Sequence, residues 1–266
     1  MQVRNNGNAK PENFLEWKLM GAWEGVSPEE ALRLWEDLPA LKREEYLAMC
    51  GRLRRGYPFD YLLPYTEIGP YSFRLREGVL IPRPETEELV EIIRCAPDKP
   101  PTLIDIGCGS GLIGISLHTD FEQVAMVDIS ETALAIARDN ILLNGITNVS
   151  VYQSNLLDNL PNPSTDRWLV ANLPYVPLGD KQKEIEYRTK FEPDLAIYSG
   201  RDGLDLFRKL VQQLSELPLL PTKMFFELDP RNVETGARLL ETRLSLSTEI
   251  ITDSEGRARF LVASIS

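Results

Sequence analysis

The run Asn172-Leu173-Pro174-Tyr175 follows a short apolar stretch, Arg167 to Ala171, and carries residue types suited to acting on a planar, uncharged nitrogen. Such a nitrogen, in an amide or an aromatic amine, shares its lone pair with a π system and is a poor nucleophile. If the Asn172 side-chain oxygen and the Leu173 backbone carbonyl each accept one of its N–H groups, the positive charge that builds during attack meets preorganised dipoles. Pro174 would fix the backbone so that the Leu173 carbonyl points inward, and Tyr175 would offer a flat surface for stacking. No general base is obligatory, because the nitrogen's proton becomes acidic once the new bond has formed. Taken alone, the same four residues also describe an ordinary strand-ending turn.

Upstream, Leu103-Ile104-Asp105-Ile106 is a short apolar strand that runs into Gly107, Gly109 and Gly111 ahead of a helix. Closely spaced glycines permit a tight turn and a close backbone approach to a ligand. Asp128 ends the next strand, where a carboxylate can accept both hydroxyls of a ribose, so the segment reads as a nucleoside-cofactor pocket. Gly109, Gly111 and Gly114 also satisfy G-x-G-x-x-G, and spacing alone does not choose between nicotinamide dinucleotide and S-adenosylmethionine. Asp105, inside the strand, and the tetrapeptide downstream favour S-adenosylmethionine, attacked in line at its sulfonium methyl. Ile129 would pack on the adenine face, and Asn155 would bond its edge through the side-chain amide. An asparagine at a strand end is equally a turn former.

The elements that must hold these groups follow from periodicity. Residues 28–37 and 40–55 place Leu32, Trp35, Leu41, Tyr46, Leu47 and Leu53 at helical spacings, with Ser27-Pro28 as a start signal, and read as a small helical domain. From Tyr65 the chain alternates and turns at Gly69-Pro70, a β-hairpin. Beyond residue 84, helix and strand alternate: ETEELVEIIRC, TLIDI, a helix after Gly111, QVAMVDI, SETALAIARDNILLN, then VSVYQ, WLVAN, GLDLFRKLVQQL and KMFFEL. That order predicts an α/β, doubly wound, mainly parallel sheet, with ligands beyond the carboxyl ends of its strands. The tail, turning at Ser254-Glu255-Gly256, predicts an antiparallel hairpin at the sheet edge. The expected division is residues 1–62 helical, 63–82 hairpin linker and 83–266 catalytic.

Composition narrows the field. A chain of 266 residues with 43% hydrophobic and 26% charged residues has the makeup of a globular protein of about two domains. Its only histidine, His118, excludes histidine metal clusters and Ser-His-Asp or Cys-His catalysis. Cys50, Cys95 and Cys108 lie far apart without metal-site spacing, which fits a reducing cytoplasm. No secretory signal or apolar span is read, so a cytoplasmic location is expected. A net charge of -11 opposes a broad grip on phosphates, so stable nucleic-acid binding is not expected and a protein or small-molecule substrate is favoured.

Several ordered blocks resemble the HemK/PrmC family of release factor glutamine N5-methyltransferases: RGYP with Tyr61, GVLIPRPETEELVE, LIDIGCGSGLIGISL, VDISETALAIARDN, NLPYVP, FEPDLAIYSGRDGLDLFRKL and the strand ending at Glu227. The resemblance spans roughly residues 50–230 and implies a Rossmann-like class I methyltransferase with a seven-stranded sheet. It also implies a helical amino-terminal domain that engages class I peptide chain release factors, and methylation of the glutamine in their Gly-Gly-Gln motif. By position, Pro84, Glu85 and Thr86 resemble a segment over the cofactor's methionine end, although proline and acids also suit a helix start. Three positions depart from the family pattern. Leu173 stands where it has proline, but chemistry there needs only the carbonyl. Asn155 stands where it has aspartate, so any bond to adenine lacks charge assistance. Glu227 is followed by Leu-Asp instead of Ile-Gly.

Competing readings remain. N-L-P-Y also looks like the rRNA adenine dimethyltransferases, which would make adenine N6 of a nucleic acid the target. A non-catalytic nucleoside-binding protein, its amino-terminal helices an interaction module, is opposed by the intact Asn172, Pro174 and Tyr175, and a nicotinamide dehydrogenase rests on the glycines alone.

Overall fold

A computed structural model describes residues 26–38, 43–160, 166–180 and 189–265. Leu41, expected on the second helix, lies outside them, as do residues 1–25. The chain opens with helices α1 (Pro28–Asp37) and α2 (Arg43–Leu53). A capping box starts α1: Ser27 Oγ accepts from Glu30 N, and Glu30 Oε2 accepts from Ser27 N. Leu34, Tyr46 and Cys50 pack with Phe59 and Leu63 into a core separate from that of the sheet.

Strands β1 (Thr66–Ile68) and β2 (Tyr71–Phe73) form the expected hairpin, with Gly69 at a positive φ of 56° between them. Next come α3 (Pro84–Cys95), β3 (Thr102–Ile106), α4 (Leu112–Ser116), β4 (Gln123–Asp128), α5 (Glu131–Leu143), β5 (Val149–Gln153) and β6 (Arg167–Ala171). The remainder is α6 (Asp205–Ser215), β7 (Lys223–Glu227), α7 (Val233–Leu244), β8 (Ser247–Thr252) and β9 (Ala258–Ser264). The sheet has seven strands in the order β5-β4-β3-β6-β7-β9-β8. Only β9 runs against the others, since it pairs antiparallel with both β7 and β8.

Strand alternation divides the core into two layers. Leu103, Met126, Val170 and Phe225 face α3, α4 and α5 on one side, whereas Ile104, Val127, Leu169 and Phe226 face α6 and α7 on the other. Burial on both faces explains why these strands read as continuous apolar runs. Every strand and the helices up to α6 coincide with segments expected from the sequence, whereas α7 is an additional helix. Among the described residues no helix is long and apolar enough to cross a membrane.

Asn140 on α5 and Asn144 at its carboxyl cap tie the hairpin segment to that helix. Asn140 Oδ1 accepts from Arg74 N at 2.8 Å while its Nδ2 donates to Ser110 O at 2.9 Å. Asn144 makes the matching pair of bonds to the backbone of Ser72. The order of strands reverses between β3 and β6, which opens a crevice at their carboxyl ends.

Candidate active site

Beyond β3, Gly107, Gly109 and Gly111 all take left-handed backbone angles, with φ of 72°, 54° and 86°. A side chain is strained in that conformation, so three glycines in this pattern fold the chain back over the strand end. Gly107 N and Cys108 N donate to Val127 O at 2.8 and 3.0 Å, joining the loop to β4. At Gly109 an added Cβ would meet nothing within 4 Å. The backbone there faces open space in a cavity of about 160 Å³.

Gly107, Gly109, Asp128, Ile129, Asn155, Thr86, Asn172, Leu173 and Pro174 line this cavity, so most of the expected site residues come together. Asp128 Oδ2 accepts from Gly109 N at 3.0 Å and Oδ1 from Ser130 N at 2.9 Å. Each oxygen keeps lone-pair capacity for a further donor, such as a ribose hydroxyl. Burial pushes the Asp128 carboxyl above its ordinary range. Ile129 is 47% exposed, an apolar platform beside that carboxylate. The open glycine, the carboxylate, the apolar face and the Asn155 amide match the parts of a nucleoside, so the donor set fits S-adenosylmethionine.

Asp105 and Gly111 do not line the cavity. Asp105 lies behind the loop, 1% exposed, with Oδ2 accepting from Gly114 N at 3.0 Å. Burial pushes its carboxyl up to about 7, opposed by the Gly114 N–H and reinforced by the charge of Asp128. Its Oδ1 is buried without a hydrogen-bond partner. A Cβ on Gly111 would stand 3.0 Å from Ile115 Cδ1 and 3.2 Å from Met126 Cε. That glycine serves the turn and its packing.

A second cavity, of about 100 Å³, adjoins the first and shares Asn172, Leu173 and Pro174 with it. Tyr175 lines this one and not the first. Arg83 lines it too, its Nη2 2.6 Å from Glu192 Oε2. Glu192 Oε1 accepts from Ile81 N at 2.7 Å. Among the described residues Arg83 Nη1 is buried without a hydrogen-bond partner.

Behind the tetrapeptide lies a chain of bonds centred on Glu227, a residue with no site role among the sequence expectations. Glu227, at the carboxyl end of β7, is 1% exposed. Its Oε2 accepts from Thr86 Oγ1 at 2.9 Å and its Oε1 from Tyr175 Oη at 3.0 Å. Thr86 Oγ1 in turn accepts from Asn172 Nδ2 at 3.0 Å. Burial raises the Glu227 carboxyl, opposed by its bonds to Thr86 and Tyr175 and by the nearby Arg259 charge. Burial and then the Glu227 charge push the Tyr175 phenol well above its usual range, so it stays a donor. The available sequence signal was an acid directly after Met224-Phe225-Phe226, since a buried acid requires dedicated partners.

Known proteins resemble this chain over most of its length. The family model for the methyltransferase small domain matches residues 86–188. The release factor glutamine methyltransferase of Enterococcus faecalis is 31% identical over 87% of this chain and 84% of its own length. That of Bacteroides thetaiotaomicron is 34% identical over 85% and 82%. Among solved structures, the ribosomal protein L11 methylase of Lactobacillus delbrueckii subsp. bulgaricus covers 71% of this chain and 83% of its own. Its 21% identity and TM-score of 0.50 speak to the fold alone, a Rossmann-like class I methyltransferase. The cavity at the glycine loop, the amide at its junction with a second slot, and relatives matched over most of both chains lead to one conclusion: the chain belongs to the release factor glutamine methyltransferase family.

Proposed function

We propose that this enzyme transfers a methyl group from S-adenosylmethionine to N5, the side-chain amide nitrogen, of the glutamine in the Gly-Gly-Gln motif of class I peptide chain release factors. The observation that carries this reading is the place of Asn172-Leu173-Pro174, which lines both cavities at once. One cavity suits a nucleoside and the other admits a flat polar group to the same residues.

When bound, S-adenosylmethionine supplies an electrophilic methyl on sulfur. Gly107, Gly109, Asp128, Ile129 and Asn155 would hold its nucleoside, and Thr86 lines the same cavity. The glutamine amide enters the second cavity, where Asn172 Oδ1 and the Leu173 carbonyl accept its two N–H groups. Those bonds orient the nitrogen lone pair and strengthen as positive charge develops on nitrogen. Pro174 restricts the backbone that carries the Leu173 carbonyl, and the Tyr175 ring lies along the amide plane. Arg83 Nη1 is a buried donor suited to a backbone carbonyl of the incoming peptide.

Residues 1–62 form the substrate-recognition domain in this reading, 63–82 the linker and 83–266 the methyltransferase domain, working in the cytoplasm without stable nucleic-acid binding. The test is a filter assay with isotopically labelled cofactor, offering purified release factor and RNA separately. Label in the release factor alone is expected. Label in RNA alone overturns the reading.

A further inference from the structure

A hydroxyl has one proton to give, and in this site its destination is settled by the neighbours. Ionised Glu227 only accepts, and its Oε2 lies 2.9 Å from Thr86 Oγ1, so the Thr86 proton points at Glu227. What Thr86 Oγ1 then offers Asn172, 3.0 Å away, is a lone pair. A lone pair requires a donor opposite it, which is the NH2 of the Asn172 carboxamide and not its oxygen. The oxygen is therefore the end of the carboxamide turned away from Thr86, on a residue that lines both cavities.

We propose that Glu227 is a positioning residue which, by taking the proton of Thr86, fixes the Asn172 carboxamide with its oxygen toward the substrate nitrogen. The inference rests on the amide-methyl transfer proposed above. The flipped carboxamide would aim NH2 at a substrate that itself offers only N–H groups, placing donors against donors. Tyr175 shares the arrangement: its hydroxyl donates to Glu227 Oε1 at 3.0 Å, so one carboxylate holds both the asparagine lock and the ring of the second cavity.

The lock depends on the charge of Glu227. The groups that face it are Thr86 and Glu85 from α3, Tyr175 from the tetrapeptide and Arg259 from β9. Arg259 favours the ionised form, whereas burial and Glu85 oppose it. Once protonated, Glu227 can donate to Thr86, which then turns its own proton toward Asn172 and favours the flipped amide. Turnover falls as pH drops through the Glu227 pKa.

Glu227→Gln imitates the protonated state at every pH, because its amide can donate to Thr86. The experiment measures kcat against pH for wild type and Glu227→Gln at saturating cofactor and release factor, with cofactor affinity and melting temperature alongside. Expected are a kcat lowered on the order of tenfold, loss of the acid limb, and an unchanged cofactor dissociation constant. Thr86→Val and Thr86→Ser form the second pair. The serine keeps the hydroxyl and should retain more turnover than the valine, whereas a role in packing alone would favour valine, the closer match in shape. Glu227→Gln with wild-type kcat and an intact acid limb overturns the inference, as does Thr86→Val matching Thr86→Ser. A wild type inactive on release factor overturns the target itself and the inference with it.

Discussion

Replacing Asn172 by alanine separates the chemistry of this site from its architecture. Among the described residues the side chain makes one bond, from Nδ2 to Thr86 Oγ1 at 3.0 Å, and loss of a neutral hydrogen bond costs about 1 kcal/mol of stability. What the variant loses in the transition state is larger. Of the two acceptors proposed for the amide N–H groups, only the Leu173 carbonyl remains, and removal of one preorganised charge-stabilising group lowers kcat on the order of 10²- to 10³-fold, about 2.7–4 kcal/mol. Cofactor binding should change little, because Gly109, Asp128, Ile129 and Asn155 stand on other strand ends and keep their bonds. Single-turnover methyl transfer at saturating cofactor, paired with calorimetric titration of cofactor, resolves the two quantities. Unchanged turnover, or a loss confined to cofactor affinity, would refute the role given to Asn172.

Asp128→Ala should reverse that pattern, weakening the cofactor on the order of 10²-fold through two lost hydroxyl–carboxylate bonds, as read by calorimetry; equal affinity contradicts the ribose assignment. Gly107→Ala places a Cβ 3.0 Å from Leu173 Cδ2 on a residue whose φ is 72°, so it should lower both melting temperature and turnover, and wild-type values for both would show that the loop yields freely. Asp105 makes stability depend on pH. Its folded carboxyl holds a proton up to about 7 while the ordinary value is 3.8, so folding takes up a proton between these limits and stability falls as pH rises across them. In Asp105→Asn that slope should vanish and the melting temperature above pH 7 should exceed that of wild type; identical pH profiles from thermal melts would contradict it.

Much of this site could be read before the fold was known, because its residues stand at strand ends where type and position carry meaning. The glycine loop, Asp128, Ile129 and the tetrapeptide are local signals, each a few residues long. Glu227 was not legible in that way. Its partners Thr86 and Tyr175 are 141 and 52 residues away in sequence, and only the packing of α3 against β7, beside the end of β6, brings them to one carboxylate. Asp105 and Gly111 show the opposite limit: their spacing marks the motif, but the pleat of β3 and the turn into α4 bury them behind the surface a ligand would touch. Helix α7 escaped notice because Pro230 to Glu234 carries little apolar periodicity, although Val233, Ala237 and Leu240 do form its buried face.

The central claim, methyl transfer to a glutamine side chain, is tested most directly by incubating the purified chain with a class I release factor and S-adenosylmethionine, then locating the added mass by peptide fragmentation. The account predicts one methyl group on the glutamine of the Gly-Gly-Gln peptide, absent when Asn172→Ala replaces the wild type. A methyl group on any other residue, or none on the release factor while RNA is labelled, would contradict it.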